Sequence, residues 1–114
     1  MSKTYFGFAL ADGMFTDDCT ITRRKVSVEY VQEHQDTLES CLNPSHVATI
    51  AAMRARYGIS VAIPDTPPKV VLGNGDSIIV MGVRGLPRLT DRHEYTGDEI
   101  AQATFTFTLY TVSI

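Results

Sequence analysis

Apolar and polar positions along this chain alternate in some stretches and cluster in others, and the two patterns mark out strands and helices. Tyr5 to Leu10 is a short apolar run rich in aromatics, which predicts a buried strand. Asp12-Gly13 and Thr16-Asp17-Asp18 carry turn chemistry. Thr20 to Glu29 spreads Ile21, Val26 and Val28 among polar residues and predicts a second strand. Tyr30 to Glu39 lacks Gly and Pro and is built from helix formers, so it predicts a short helix. A second helix runs from about Pro44 to Tyr57, with Ile50, Met53 and Tyr57 at helical spacing toward the core. Gly58 suits its left-handed end, and Arg54 and Arg56 complement the dipole of its last turn.

Ile59 to Ile63 alternates and is β-branched, which predicts a strand. Pro64 to Pro68 is a loop, Lys69 to Leu72 a further strand, and Gly73-Asn74-Gly75-Asp76 a tight turn of the hairpin kind. Ser77 to Val83 is nearly continuous in apolar residues and reads as a central strand buried on both faces. A loop follows from Gly85 to His93. Thr96-Gly97-Asp98-Glu99 fits a capping box opening a short helix through Ala103. Thr104 to Val112 alternates, with Phe105, Phe107 and Leu109 on one side and threonines on the other. That is a half-buried strand whose threonine face meets solvent or a second subunit. The expected fold is α+β: one mixed sheet of five or six strands with two or three short helices.

The chain has 114 residues, which predicts a single domain over 1–114. Hydrophobic residues make up 44% and charged residues 20%, a balance that excludes disorder. The formal charge of −3 argues against a protein that coats long nucleic acid, so a nucleic-acid ligand would be small and held in a local basic pocket. Cys19 and Cys41 form no CxxC pair, and the three histidines offer no zinc-finger spacing. No run approaches the roughly 20 apolar residues that span a bilayer, and the N-terminus lacks a signal-peptide core. A soluble protein with reduced thiols, acting in the cytoplasm without a membrane partner, is the expectation.

The segment Asn43-Pro44-Ser45-His46-Val47-Ala48-Thr49 carries the most chemistry. Asn is a preferred N-cap and Pro fits the first helical position. His46 would then stand at the third helical position, beside unpaired backbone donors at the positive end of the dipole. The hydroxyls of Ser45 and Thr49 flank it. An imidazole titrates near neutrality, so beside an anion site it equips the chain for acid–base chemistry on a phosphodiester. The competing reading is a histidine that merely serves the helix start. Arg84, Arg88 and Arg92 are spaced four apart after the central strand, and guanidinium groups match phosphate oxygens in pairs. Arg84 and Arg88 are candidates to bind substrate, whereas Arg92 reads as a solvated loop cation. Arg23-Arg24-Lys25 reads as a solvated strand edge, where positive charge discourages pairing. Asp17-Asp18 reads as turn chemistry and Cys41 as core packing, and no metal or P-loop motif is present.

From about Leu38 to Val112 the chain resembles the ring nucleases that viruses use as type III anti-CRISPR proteins. The matching parts are Ser40, His46 and Thr49, then Ile59 to Ile63, Gly75-Asp76, Ile78 to Arg84, Glu99-Ile100 and Phe105 to Tyr110. The resemblance implies a symmetric homodimer with a cyclic tetra-adenylate pocket at its two-fold interface. It implies that His46 is the general acid for attack by a ribose 2′-hydroxyl, with Thr49 beside it and Arg84 on phosphate, and that neither metal nor cofactor is needed. Ser45 stands where the family has Gly, Phe8-Ala9-Leu10 where it often has Asn, and no Glu follows Arg84 closely. Three readings follow: an enzyme that destroys a cyclic oligonucleotide signal, a sponge that sequesters it, and a structural or regulatory viral protein whose sheet meets a partner.

Overall fold

The computed structural model describes residues 2–66, 68–87, 89 and 95–114. Among these residues five strands form one mixed sheet: β1 (Thr4–Gly7), β2 (Thr20–Val26), β3 (Glu39–Ser40), β4 (Ser77–Arg84) and β5 (Thr104–Ser113), in the order β2-β5-β4-β1-β3. Three helices accompany them: α1 (Val28–His34), α2 (Val47–Tyr57) and α3 (Gly97–Gln102). The expected α+β class is the observed one.

β4 is central, as its apolar run predicts. It pairs antiparallel with β5, from Ser77 opposite Thr111 to Arg84 opposite Thr104. On its other side it pairs parallel with β1, and β1 in turn pairs parallel with β3. Alternation splits the core in two. Ile79, Met81, Phe105 and Phe107 point to one face, where they pack with Ile50 and Met53 of α2 and Val31 of α1. Ile78 and Val112 point to the other face, under Val70 and Leu72. Thr104 and Thr106 on that second face are exposed, while Thr108 is buried.

Local chemistry sets the helix ends. The Ser27 hydroxyl accepts from the Tyr30 N–H at 3.1 Å and starts α1. Gly58 closes α2 at φ +67°, which an L side chain rarely adopts, and its N–H reaches the Arg54 carbonyl. The Thr96–Glu99 capping box opens α3 as predicted. Arg56 does more than complement its own helix. Its guanidinium donates to the carbonyls of Ile100 at 2.8 Å and Ala101 at 2.6 Å, at the carboxyl end of α3, where carbonyls run short of helical partners.

Several expectations need correction. The helix predicted over Tyr30–Glu39 begins at Val28 and ends at His34; a 3-10 turn, Gln35–Thr37, and then β3 follow. Ile59–Ile63 is not a strand. Ile59 and Val61 are buried, which explains their pattern, but a side chain takes the place of a ladder: the Ser60 N–H donates to Gln35 Oε1 at 2.8 Å. Lys69–Leu72 is likewise unpaired in the sheet. Val70 and Leu72 cover the second core, and Leu72 N–H donates to the Met14 carbonyl at 2.7 Å. Gly73–Asp76 is a tight turn with Gly75 at φ +85°, but it joins that covering segment to β4 and closes no hairpin. Asp76 secures it, accepting from the N–H groups of Gly73 and Lys3.

β1 and β3 meet closely at Gly7. A Cβ there would lie 2.7 Å from Cys41 Sγ, so only a glycine fits without a shift. Gly7→Ala is expected to destabilise the fold by about 1–3 kcal/mol through overpacking. Chemical denaturation of Gly7→Ala, Cys41→Ala and the double variant tests this: the double variant should recover most of the loss. Simple additivity would refute the contact as the cause.

Candidate functional site

Because β4, β1 and β3 run parallel, their carboxyl ends lie on one side of the sheet. The chain leaving β1 passes through Phe8, and the chain leaving β3 passes through Leu42 and Asn43 to His46. Between these segments and the one around Lys69 lies a cavity of about 400 Å³. Phe8, Met14 and Leu42 supply apolar walls; Asn43, His46 and Lys69 supply polar groups. This is where open α/β sheets bind ligands, at the carboxyl ends of parallel strands.

The sequence predicts one α-helix from Pro44, and the structure divides it. Pro44–His46 forms a 3-10 turn, and α2 starts at Val47 with His46 as the residue before it, at φ −100° and ψ 26°. Asn43 is the cap, but it caps the turn. Its Oδ1 accepts from the Ser45 N–H at 2.9 Å, and its carbonyl accepts from the His46 N–H at 3.0 Å. Two backbone donors that the sequence reserves for an anion are therefore consumed. The imidazole remains exposed, with its ring 5.5 Å from that of Phe8 at 47°.

Of the described residues proposed as catalytic or substrate-binding, His46 alone lines the cavity. Ser45 is exposed beside it, and its backbone serves the cap. Thr49 is half-buried, one turn into α2. Arg84 is exposed at the end of β4, opposite Thr104, and faces away from the helices by alternation. Arg88 and Arg92 lie outside the described residues. Lys69, Phe8 and Met14 were missed, because they come from three separate segments and carry no motif. Among the described residues, no group of three or more His, Cys, Asp and Glu is placed to hold a metal ion. Among them too, no helix is long and apolar enough to cross a membrane.

Cys41 also borders the cavity. Its thiol donates to the Phe6 carbonyl at 3.2 Å. Burial pushes the thiol pKa up, because a thiolate there would lose solvation, and this outweighs the lowering effect of a backbone hydrogen bond. A neutral donor thiol is a packing group, not a nucleophile.

The fold has a viral counterpart. It resembles B116 of Sulfolobus turreted icosahedral virus (STIV), with a TM-score of 0.68 over 96% of this chain and 99% of that one. The two sequences are 18% identical, so the likeness is one of fold. No protein-family model matches the chain, and no curated protein matches it.

The Cys41 assignment has a direct check. At pH 7 to 8 the native thiol should react with iodoacetamide at least about tenfold more slowly than in the unfolded chain, since thiolate and access are both reduced. Mass spectrometry of the Cys41 peptide measures it. Equal rates in the two states would show an accessible, ionised thiol.

Proposed function

We propose that this chain is a phosphodiesterase that opens a cyclic oligoadenylate messenger without a metal ion, and so silences a nucleotide-signalled host defence. The observation that carries the reading is the solvent-facing imidazole of His46 on the rim of an apolar-walled cavity. A flat base suits walls of Phe8, Met14 and Leu42, and Lys69 supplies a cation for phosphate. The fold shared with a viral protein and the resemblance of the His46 segment to viral ring nucleases agree with it.

The chemistry is compact. The ribose 2′-hydroxyl attacks the neighbouring phosphorus, losing its proton to solvent. A bond from phosphorus to O2′ forms as the bond to O5′ breaks. His46 gives its proton to the departing O5′, and the product ends in a 2′,3′-cyclic phosphate. Thr49 and Arg84 are assigned to binding on the resemblance, and Ser45 and Arg88 on their positions in the sequence. The cavity of about 400 Å³ is at the small end of pockets that house a drug-sized ligand, roughly 300–1,000 Å³. It takes one nucleotide rather than a ring of four. A homodimer that presents two such cavities to one two-fold ligand meets the size requirement.

One observation favours sequestration as a second reading: among the described residues lining the cavity none is a carboxylate, so none of them stands ready there as a general base. The two readings separate in one experiment. Protein is incubated with cyclic di-, tri- and tetra-adenylates in the presence of a chelator, and the products are resolved by chromatography. The enzyme reading expects linear products ending in a cyclic phosphate, a loss of about 10²–10⁴-fold in rate for His46→Ala, and unchanged ligand affinity. Intact ligand recovered from a tight complex would establish the sponge. Neither binding nor conversion would overturn both.

A further inference from the structure

β2 is an edge strand of unusual construction. It runs seven residues in unbroken register with β5, from Thr20 opposite Ser113 to Val26 opposite Phe107. Its other side has no strand among the described residues. Edge strands are ordinarily blunted by brevity, charge, proline, a bulge or a covering element, often by several of these at once. The opposite edge, β3, is blunted by brevity at two residues. β2 has no proline, no glycine and no bulge, and Thr20 through Lys25 are exposed.

Its protection is charge alone. Alternation places Arg24 on the helix side, opposite Leu109, and Arg23 and Lys25 on the other side, opposite Tyr110 and Thr108. Arg23 is engaged: it donates to the Tyr110 hydroxyl at 3.2 Å and lies over that ring. Arg24 and Lys25 make no ion pair among the described residues. A shallow groove of about 270 Å³ beside the edge is lined by Thr22, Arg24, Leu109 and Thr111. Its apolar floor is Leu109.

Such an edge repels a second copy, since two β2 strands would bring six cations together. It attracts a strand of opposite charge. We propose that β2 is a docking edge for an extended acidic segment of another protein, which adds to the sheet as a sixth strand. Main-chain hydrogen bonds supply affinity, and alternate side chains supply specificity. Carboxylates of the added strand meet Lys25 on the helix-free face, and its aliphatic residues lie on the helix side, against the Arg24 stem and Leu109. This site is independent of His46 and of the activity proposed there.

The test uses three synthetic peptides as long as β2: one alternating Glu with Val, one alternating Lys with Val, and the Glu peptide with a central Pro. Backbone NMR shifts and amide exchange are followed over the whole chain. The acidic peptide should shift the amides of 20–26 and slow their exchange, and the other two should not. Arg24→Glu with Lys25→Glu should weaken binding about tenfold, as should raising salt to about 0.5 M. The double variant should bind the lysine peptide instead. Equal response to all three peptides, perturbation away from β2, or outer-edge amides already protected by self-association without peptide would each overturn the proposal.

Discussion

The two-sided burial of β4 holds this molecule together. Ile78 and Ile79 are fully buried on opposite faces, and Met81 is nearly so. Each such side chain contributes about 1.5–3 kcal/mol relative to exposure. A strand dry on both faces must satisfy its backbone within the sheet, which β4 does through β5 on one side and β1 on the other. The mixed character of the sheet follows. So does the second, smaller core, because the face away from the helices needs its own cover, and the segments through Met14 and Val70–Leu72 provide it.

The site is a consequence of the parallel half of that sheet. β3 is only two residues long, yet it is well anchored: Cys41 N–H donates to the Phe6 carbonyl at 2.9 Å, and its thiol donates to the same oxygen. That attachment directs the chain past the end of β1 and into the Asn43 turn. His46 is thereby held by a backbone bond to Asn43 on one side and the start of α2 on the other. Its ring is turned toward Phe8 and the cavity. Position is thus fixed through the main chain, while the imidazole stays open to solvent.

How much of this was legible depends on whether the signal is local. Chain caps are local, so Gly58, the Thr96–Glu99 box and the Asn43 cap could all be read directly. Long apolar or alternating runs that occupy central strands, β4 and β5, were equally plain. Ile59–Ile63 and Lys69–Leu72 show why the same pattern fails elsewhere. Alternation reports burial of every second side chain, not hydrogen bonding to a neighbour. Ile59, Val61, Val70 and Leu72 are buried, yet among the described residues no strand pairs with them. The boundary between 3-10 and α geometry at His46 was hidden for a related reason. Asn43 satisfies its donors two and three residues on in either form, so its presence names a helix start without naming the helix type.

The site itself was legible at one residue because only His46 carries a titratable group within a recognisable local frame. Lys69 follows a proline-rich loop and Phe8 follows an ordinary strand; neither is distinguished until the fold brings them to His46. Arg84 illustrates the converse. Its place at the end of β4 was correctly read, but alternation along that strand decides its direction, and it pairs with Thr104 on the helix-free face. The cation within the His46 cavity is Lys69. A lysine is a compact point charge on a flexible stem, whereas an arginine fork imposes a fixed paired geometry. If the chain opens a cyclic nucleotide as proposed, the cation placed in the cavity to meet its phosphate is Lys69, whereas Arg84 stands at the strand end on the other face.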